Sequence, residues 1–210
     1  MEVLLSFGAA LLALRLAGDL FRRRRIAWAG GLLAYAVAAA AMAWGSAHGW
    51  DALTFRVYYG AGGLLTAPLL GVGSLLLVGR RWAAAAGLVW TGLAVGVAVA
   101  MPVHGTFYHG IPLAQHHVNV LPRVVAVVGN SAGTLAVVAV ALATIRRRPL
   151  GNALLLAGVA TAAVGSALAG TGVAATAAFV AIAALLLYGG VVTRPAASRG
   201  TRPVASAETR

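Results

Sequence analysis

The chain has 210 residues, of which 61% are hydrophobic and 10% charged, with a formal net charge of +12. A soluble domain carries roughly 25% Asp, Glu, Lys and Arg, so this composition excludes a water-soluble surface, and the apolar runs leave no segment for a soluble catalytic domain. All sixteen basic residues are arginine and there is no cysteine, which excludes a retinal-type Schiff base on lysine, disulfides, thiolate nucleophiles and Cys-ligated metal.

The first apolar run, Val3 to Leu20, follows Glu2 and ends against Arg22, Arg23, Arg24 and Arg25. A cleavable signal peptide carries its positive charge before the apolar stretch, so this run predicts a retained first helix with its N-terminus outside. The second run, Ile26 to Trp44, leads to a polar stretch around His48, Gly49, Trp50 and Asp51. The third, Tyr58 to Gly79, stops at Arg80 and Arg81. Pro68 interrupts it near its middle and either kinks the helix or frees a carbonyl, or stands there without mechanism, as Pro and Gly commonly do in membrane helices.

A fourth run, Trp82 to Met101, is followed by a long loop, Pro102 to Pro122, and a fifth, Val124 to Ile145, meets Arg146, Arg147 and Arg148. The sixth and seventh, Leu150 to Ala169 and Val173 to Val192, are separated by Gly170-Thr171-Gly172. Residues 1–193 therefore read as one transmembrane domain of about seven helices. Residues 194–210 carry Arg194, Arg199, Arg202 and Arg210 among Pro, Ala and Ser, the composition of a basic disordered tail.

The arginines set an orientation. Four, two, three and four fall in successive segments of one side, while Arg56 and Arg123 fall on the other and Arg15 lies within the first helix. Because cytoplasmic loops collect Arg and Lys, this bias predicts an external N-terminus and a cytoplasmic C-terminus. It also accounts for the positive charge without a nucleic-acid partner.

Lipid offers no partners for backbone N–H and C=O groups, so these continuous apolar runs predict an all-α bundle and not a barrel of alternating strands. Trp28, Trp44, Trp50, Phe55, Tyr58, Tyr59 and Trp82 fall where interfacial aromatic belts belong. Gly60, Gly62 and Gly63, Gly129 with Gly133, and Gly158 with Gly165 allow close backbone approach and predict a compact bundle.

Two groups of residues are candidates for chemistry. His48, His104, His109, His116 and His117 all fall in the expected external loops, where converging imidazoles would make a Zn or Cu site. Their spacing matches no compact ligand motif, and exclusion of polar residues from the helices also places them there. The second group lies at depth. Tyr35 and Trp90 fall near the bilayer centre, and Asn130, Ser131 and Thr134 form a polar patch in the fifth helix. These five either line a pocket between helices or make interhelical hydrogen bonds. Arg15 and Asp19, one turn apart, either pair or leave the arginine to snorkel to the headgroups.

No carboxylate sits near mid-membrane in any helix, which argues against a proton-coupled pump built on an Asp or Glu relay. Gly129-Asn130-Ser131-Ala132-Gly133 has no histidine base in the later helices to make its serine a nucleophile.

The stretches Phe55-Arg56-Val57-Tyr58-Tyr59-Gly60 to Val78, Gly129-Asn130-x2-Gly133-Thr134-Leu135, and Gly151-Asn152-Ala153-Leu154-Leu155 to Gly165 resemble segments of polytopic membrane proteins of actinobacteria and some archaea. No activity is known for that group. The resemblance implies a prokaryotic plasma-membrane protein, and arginine-only basic usage with abundant Ala and Gly fits a high-GC genome.

Two functions follow as expectations. The first is a non-enzymatic bundle that binds or moves a small apolar molecule or lipid, or assists a membrane complex. The alternative is a metal-binding protein or metal-dependent membrane enzyme using the external histidines.

Overall fold

The computed structural model describes residues 2–107, 110–167 and 173–193. Among them the secondary structure is helical, with one isolated bridge between Val103 and Val118. The helices are α1 (Glu2–Arg22), α2 (Ile26–His48), α3 (Ala52–Tyr58), a π-helical stretch (Tyr59–Thr66), α4 (Ala67–Leu77), α5 (Trp82–Ala100), α6 (Ala114–His117), α7 (Val120–Ala143), α8 (Pro149–Ala167) and α9 (Val173–Val192). Five helical segments are long and apolar enough to cross a membrane: Val3–Arg22, Ile26–His48, the composite Ala52–Leu77, Trp82–Ala100 and Val120–Ala143. Shorter apolar segments, Pro149–Gly165 and Ala178–Val191, come from α8 and α9. The Gly170-Thr171-Gly172 turn and the 194–210 tail lie outside the described residues.

Several ends differ from the hydropathy reading for local reasons. The third helix begins at Ala52 and not at Tyr58, because Asp51 caps it by accepting a hydrogen bond from the Thr54 N–H at 2.6 Å. The helix of the fifth run begins at Val120 and not at Val124, because Pro122 falls within its first turn, where a missing N–H costs nothing.

Two turns end their helices through a left-handed residue. Gly79 (φ 83°) closes α4, with the Arg80 N–H reaching the Leu75 carbonyl. Arg24 (φ 56°) does the same after α1, with the Arg25 N–H on the Leu20 carbonyl. A side chain in that conformation costs about 1 kcal/mol relative to glycine. Arginine stands there nonetheless, and it adds to the charge at that end.

Capping by Asp51 makes a pH dependence testable. Hydrogen bonds from the Thr54 backbone and side chain hold its carboxyl below the usual range. A depressed carboxyl contributes stability above its unfolded pKa, and the contribution is lost as pH falls through the folded value. The start of α3 is therefore expected to loosen below about pH 4. Asp51→Asn keeps an acceptor and should abolish this acid response, whereas Asp51→Ala should cost about 1 kcal/mol at neutral pH. Thermal unfolding in detergent across an acid series measures both, and identical acid profiles for wild type and Asp51→Asn would refute it.

Packing joins the elements into one bundle. Helix α1 pairs with α2 and α9, α8 pairs with α9, and α4 packs against α2 and α7. Helix α5 rests on α4 and the π-helical stretch and leaves Leu88, Val89 and Val99 exposed. One buried cluster draws Leu20 of α1, Trp28 of α2, Leu70 of α4, Val137 of α7, Leu155 of α8 and Leu187 of α9 into contact. A second joins Phe55, Tyr59, Leu64, Ala94, Met101, Val118 and Ala126 across α3, the π-helical stretch, α5, the following loop and α7.

Small residues set the closest approach. A Cβ on Gly71 would lie 2.7 Å from the Gly133 Cα, and one on Gly133 would lie 2.6 Å from the Pro68 nitrogen. Helices α4 and α7 thus touch backbone to backbone.

Candidate functional site

The composite span Ala52–Leu77 carries the irregular backbone from which the site is built. Pro68 has no N–H, so the carbonyls it would serve, Leu64 in α-helical register and Gly63 in π-helical register, lack that donor. Side chains from two other helices supply it. The Trp90 indole of α5 donates to the Leu64 carbonyl at 2.8 Å, and the Asn130 amide of α7 donates to the Gly63 carbonyl at 2.8 Å. Thr66 Oγ1 donates to the Ala61 carbonyl, five residues earlier, at 2.9 Å. Glycine at position 129 leaves room for the Trp90 ring, whose Cη2 would lie 2.7 Å from a Cβ placed there.

The five depth residues therefore do not share one pocket. Trp90 and Asn130 meet at adjacent carbonyls. Tyr35 lies apart, donating to the Val180 carbonyl of α9 at 2.6 Å beside Ala9, Ala10 and Ala39. Thr134 follows a turn beyond Asn130 on α7 and does not line the groove described next.

Asn130 and Ser131 do line a shallow groove of about 450 Å³ along α7. Arg123, Ala126 and Val127 of α7 line it as well, together with Tyr59 and with Gln115 of α6. The Tyr59 hydroxyl donates to the Pro122 carbonyl at 3.3 Å, which ties the π-helical stretch to the start of α7. Ser74, Thr91, Thr144 and Thr161 each donate to a carbonyl four residues back. Ser131 makes no such bond and leaves its hydroxyl to the groove. A separate apolar crevice of about 400 Å³ lies between α5 and the start of α7, lined by Leu93, Gly96, Val97 and Leu121.

Sequence reasoning found Asn130 and Ser131 but not Tyr59, Gln115 or Arg123 as groove residues. Arg123 carried a signal, being one of only two arginines on the expected external side. The other, Arg56, is engaged differently, donating to the Met101 carbonyl at 3.0 Å.

The histidines fall as follows. His117 is buried, stacks on Phe107 at 4.4 Å between centroids, and sets its Nδ1 2.9 Å from the His104 carbonyl. Since a carbonyl only accepts, Nδ1 carries the proton. The His104 N–H donates in turn to the His117 carbonyl at 2.9 Å, which pins the loop between α5 and α7 on itself. His116 is exposed beside Gln115, and His48 stacks on Trp44 at 4.1 Å. His109 lies outside the described residues. Among the described residues no three His, Asp or Glu side chains converge as a metal would require.

At the opposite end, two further polar residues lie at a helix junction. Arg148 donates to the Gly190, Val191 and Thr193 carbonyls, closing the C-terminus of α9, where a cation complements the helix dipole. Asn152 is buried and donates to Thr144 Oγ1 at 2.9 Å. Asp19 pairs with Arg22 and not with Arg15, whose side chain is exposed.

These features define a class: an all-helical bundle apt for a membrane, with a groove that is cationic at one end and apolar along its wall. No family model, no curated protein and no solved structure matches the chain.

Proposed function

We propose that the chain is a multi-pass plasma-membrane protein of a prokaryote with seven crossing helices, an external N-terminus and a cytoplasmic basic tail. Its role in this reading is non-enzymatic, to hold or pass a lipid or small apolar molecule. The crossing pattern is supported by the cluster in which Leu20, Trp28, Leu155 and Leu187 meet: Leu20 and Trp28 flank the arginine-rich turn between α1 and α2, Leu155 follows the arginine-rich turn before α8, and Leu187 lies toward the C-terminal end of α9. Four antiparallel crossings between those two turns, and two more through α8 and α9, bring all these ends to one side. Reporter tags on both termini in living cells are expected on opposite faces of the membrane, and finding them on one face would overturn the topology.

The observation that carries the binding role is the α7 groove, where an exposed arginine stands above apolar wall residues and a free serine hydroxyl. Ligand sites are concave and mostly apolar, with a few placed polar groups. Purification into native-lipid particles followed by mass spectrometry is expected to find one amphiphile retained at near-stoichiometric amount. Val127→Trp, at a position 65% exposed and so free of packing cost, should fill the groove and release it. Equal retention by wild type and Val127→Trp would refute the groove as the site.

A further inference from the structure

The α7 groove contains a charge that no described residue answers. Arg123 lines it and makes no hydrogen bond or ion pair among the described residues. Of the four acidic residues, the two whose side chains the structure describes are engaged elsewhere: Asp19 pairs with Arg22, and Asp51 caps α3. Arg56, the other arginine on that side, already donates to the Met101 carbonyl. Arg123 sits in the first turn of α7, where the helix dipole adds positive potential, and Gln115 faces the same space.

The remainder of the groove runs away from this charge along the helix. From Arg123 to Ser131 is eight residues, about 12 Å at 1.5 Å per residue, close to the depth of one leaflet of a hydrocarbon core about 30 Å thick. Ala126 and Val127 form the wall between them.

Resting on the groove reading above, we infer that this site takes an anionic phospholipid of the outer leaflet, its phosphate on Arg123 and Gln115 and one acyl chain over Ala126 and Val127 toward Ser131. Arginine suits this task because its planar fork binds a phosphate through two parallel N–H bonds. A zwitterionic head brings its own cation to the same place and forfeits part of that attraction.

The test uses the full chain reconstituted in vesicles of phosphatidylglycerol and phosphatidylcholine in equal amounts. Lipids that stay bound on release are then counted by native mass spectrometry. Wild type is expected to retain phosphatidylglycerol several-fold over phosphatidylcholine. Arg123→Gln should bring the two to parity, and Arg123→Lys should keep much of the preference. Arg80→Gln, at the opposite end of the bundle, should leave it unchanged, and Val127→Trp should lose the retained lipid.

A preference that survives Arg123→Gln, or that falls equally in Arg80→Gln, would overturn the inference, since the attraction would then come from the cationic surface at large. Lipid retained without head preference and lost in Val127→Trp would also overturn it while sparing the groove as a lipid site. Retention indifferent to both Arg123→Gln and Val127→Trp would sink both readings.

Discussion

Replacing Gly133 by leucine is expected to leave little folded protein, whereas the same change at Gly92 should be tolerated. The three atoms nearest a Cβ at Gly133 all belong to the main chain, the Pro68 nitrogen at 2.6 Å among them, and none can rotate aside. A Cβ at Gly92 has nothing within 4 Å. Leucine at Gly133 must therefore push α7 from α4, at about 3 kcal/mol or more, the upper range for overpacking. Separation would also withdraw the Asn130 amide from the Gly63 carbonyl, so one substitution removes packing and a hydrogen bond together. Unfolding in mixed detergent micelles measures the difference, and equal stability of the two variants would refute the backbone contact.

The second large effect concerns Pro68 and the donors that compensate for it. Asn130→Ala leaves the Gly63 carbonyl without its donor, and Trp90→Phe does the same at Leu64. An unsatisfied buried acceptor costs roughly 1–3 kcal/mol, although interhelical bonds in membranes average nearer 0.6. Each change is expected to cost about 1 kcal/mol and the pair about 2. In a Pro68→Ala background position 68 regains an N–H that can reach one of these carbonyls. The double loss should then cost about 1 kcal/mol less, a coupling that a thermodynamic cycle isolates. The same cost in both backgrounds would show that the tryptophan and asparagine do not stand in for the missing N–H.

This arrangement explains why the depth residues were visible in the sequence while their use was not. Trp90 and Asn130 stood out because polar groups are expensive in lipid. Whether they faced a ligand or a neighbouring helix depended on what lay opposite. Pro68 announced that a carbonyl would be freed, but its effect fell on two adjacent carbonyls because the preceding turn is π-helical, an irregularity that hydropathy does not register. Tyr35 was singled out for the same reason and satisfied its hydroxyl on α9, a helix distant in sequence.

Arg123 shows the converse. Its residue type and side were legible, but its place in a groove arose from Gln115, Tyr59 and α7 arriving together from three separate segments. Arg148 likewise counted only as a charge at the end of an apolar run, and its hold on the last carbonyls of α9 required that helix to return beside it.

Oily run lengths and arginine placement were enough to read a helical, membrane-apt chain, because transfer free energy acts residue by residue and needs no partner to be named. The boundary at Ala52, the π-helical turn, the backbone contact at Gly133 and the charged groove emerged only once the helices packed. They depend on hydrogen-bond donors and van der Waals surfaces supplied from remote parts of the chain, and no local pattern encodes which of those will meet.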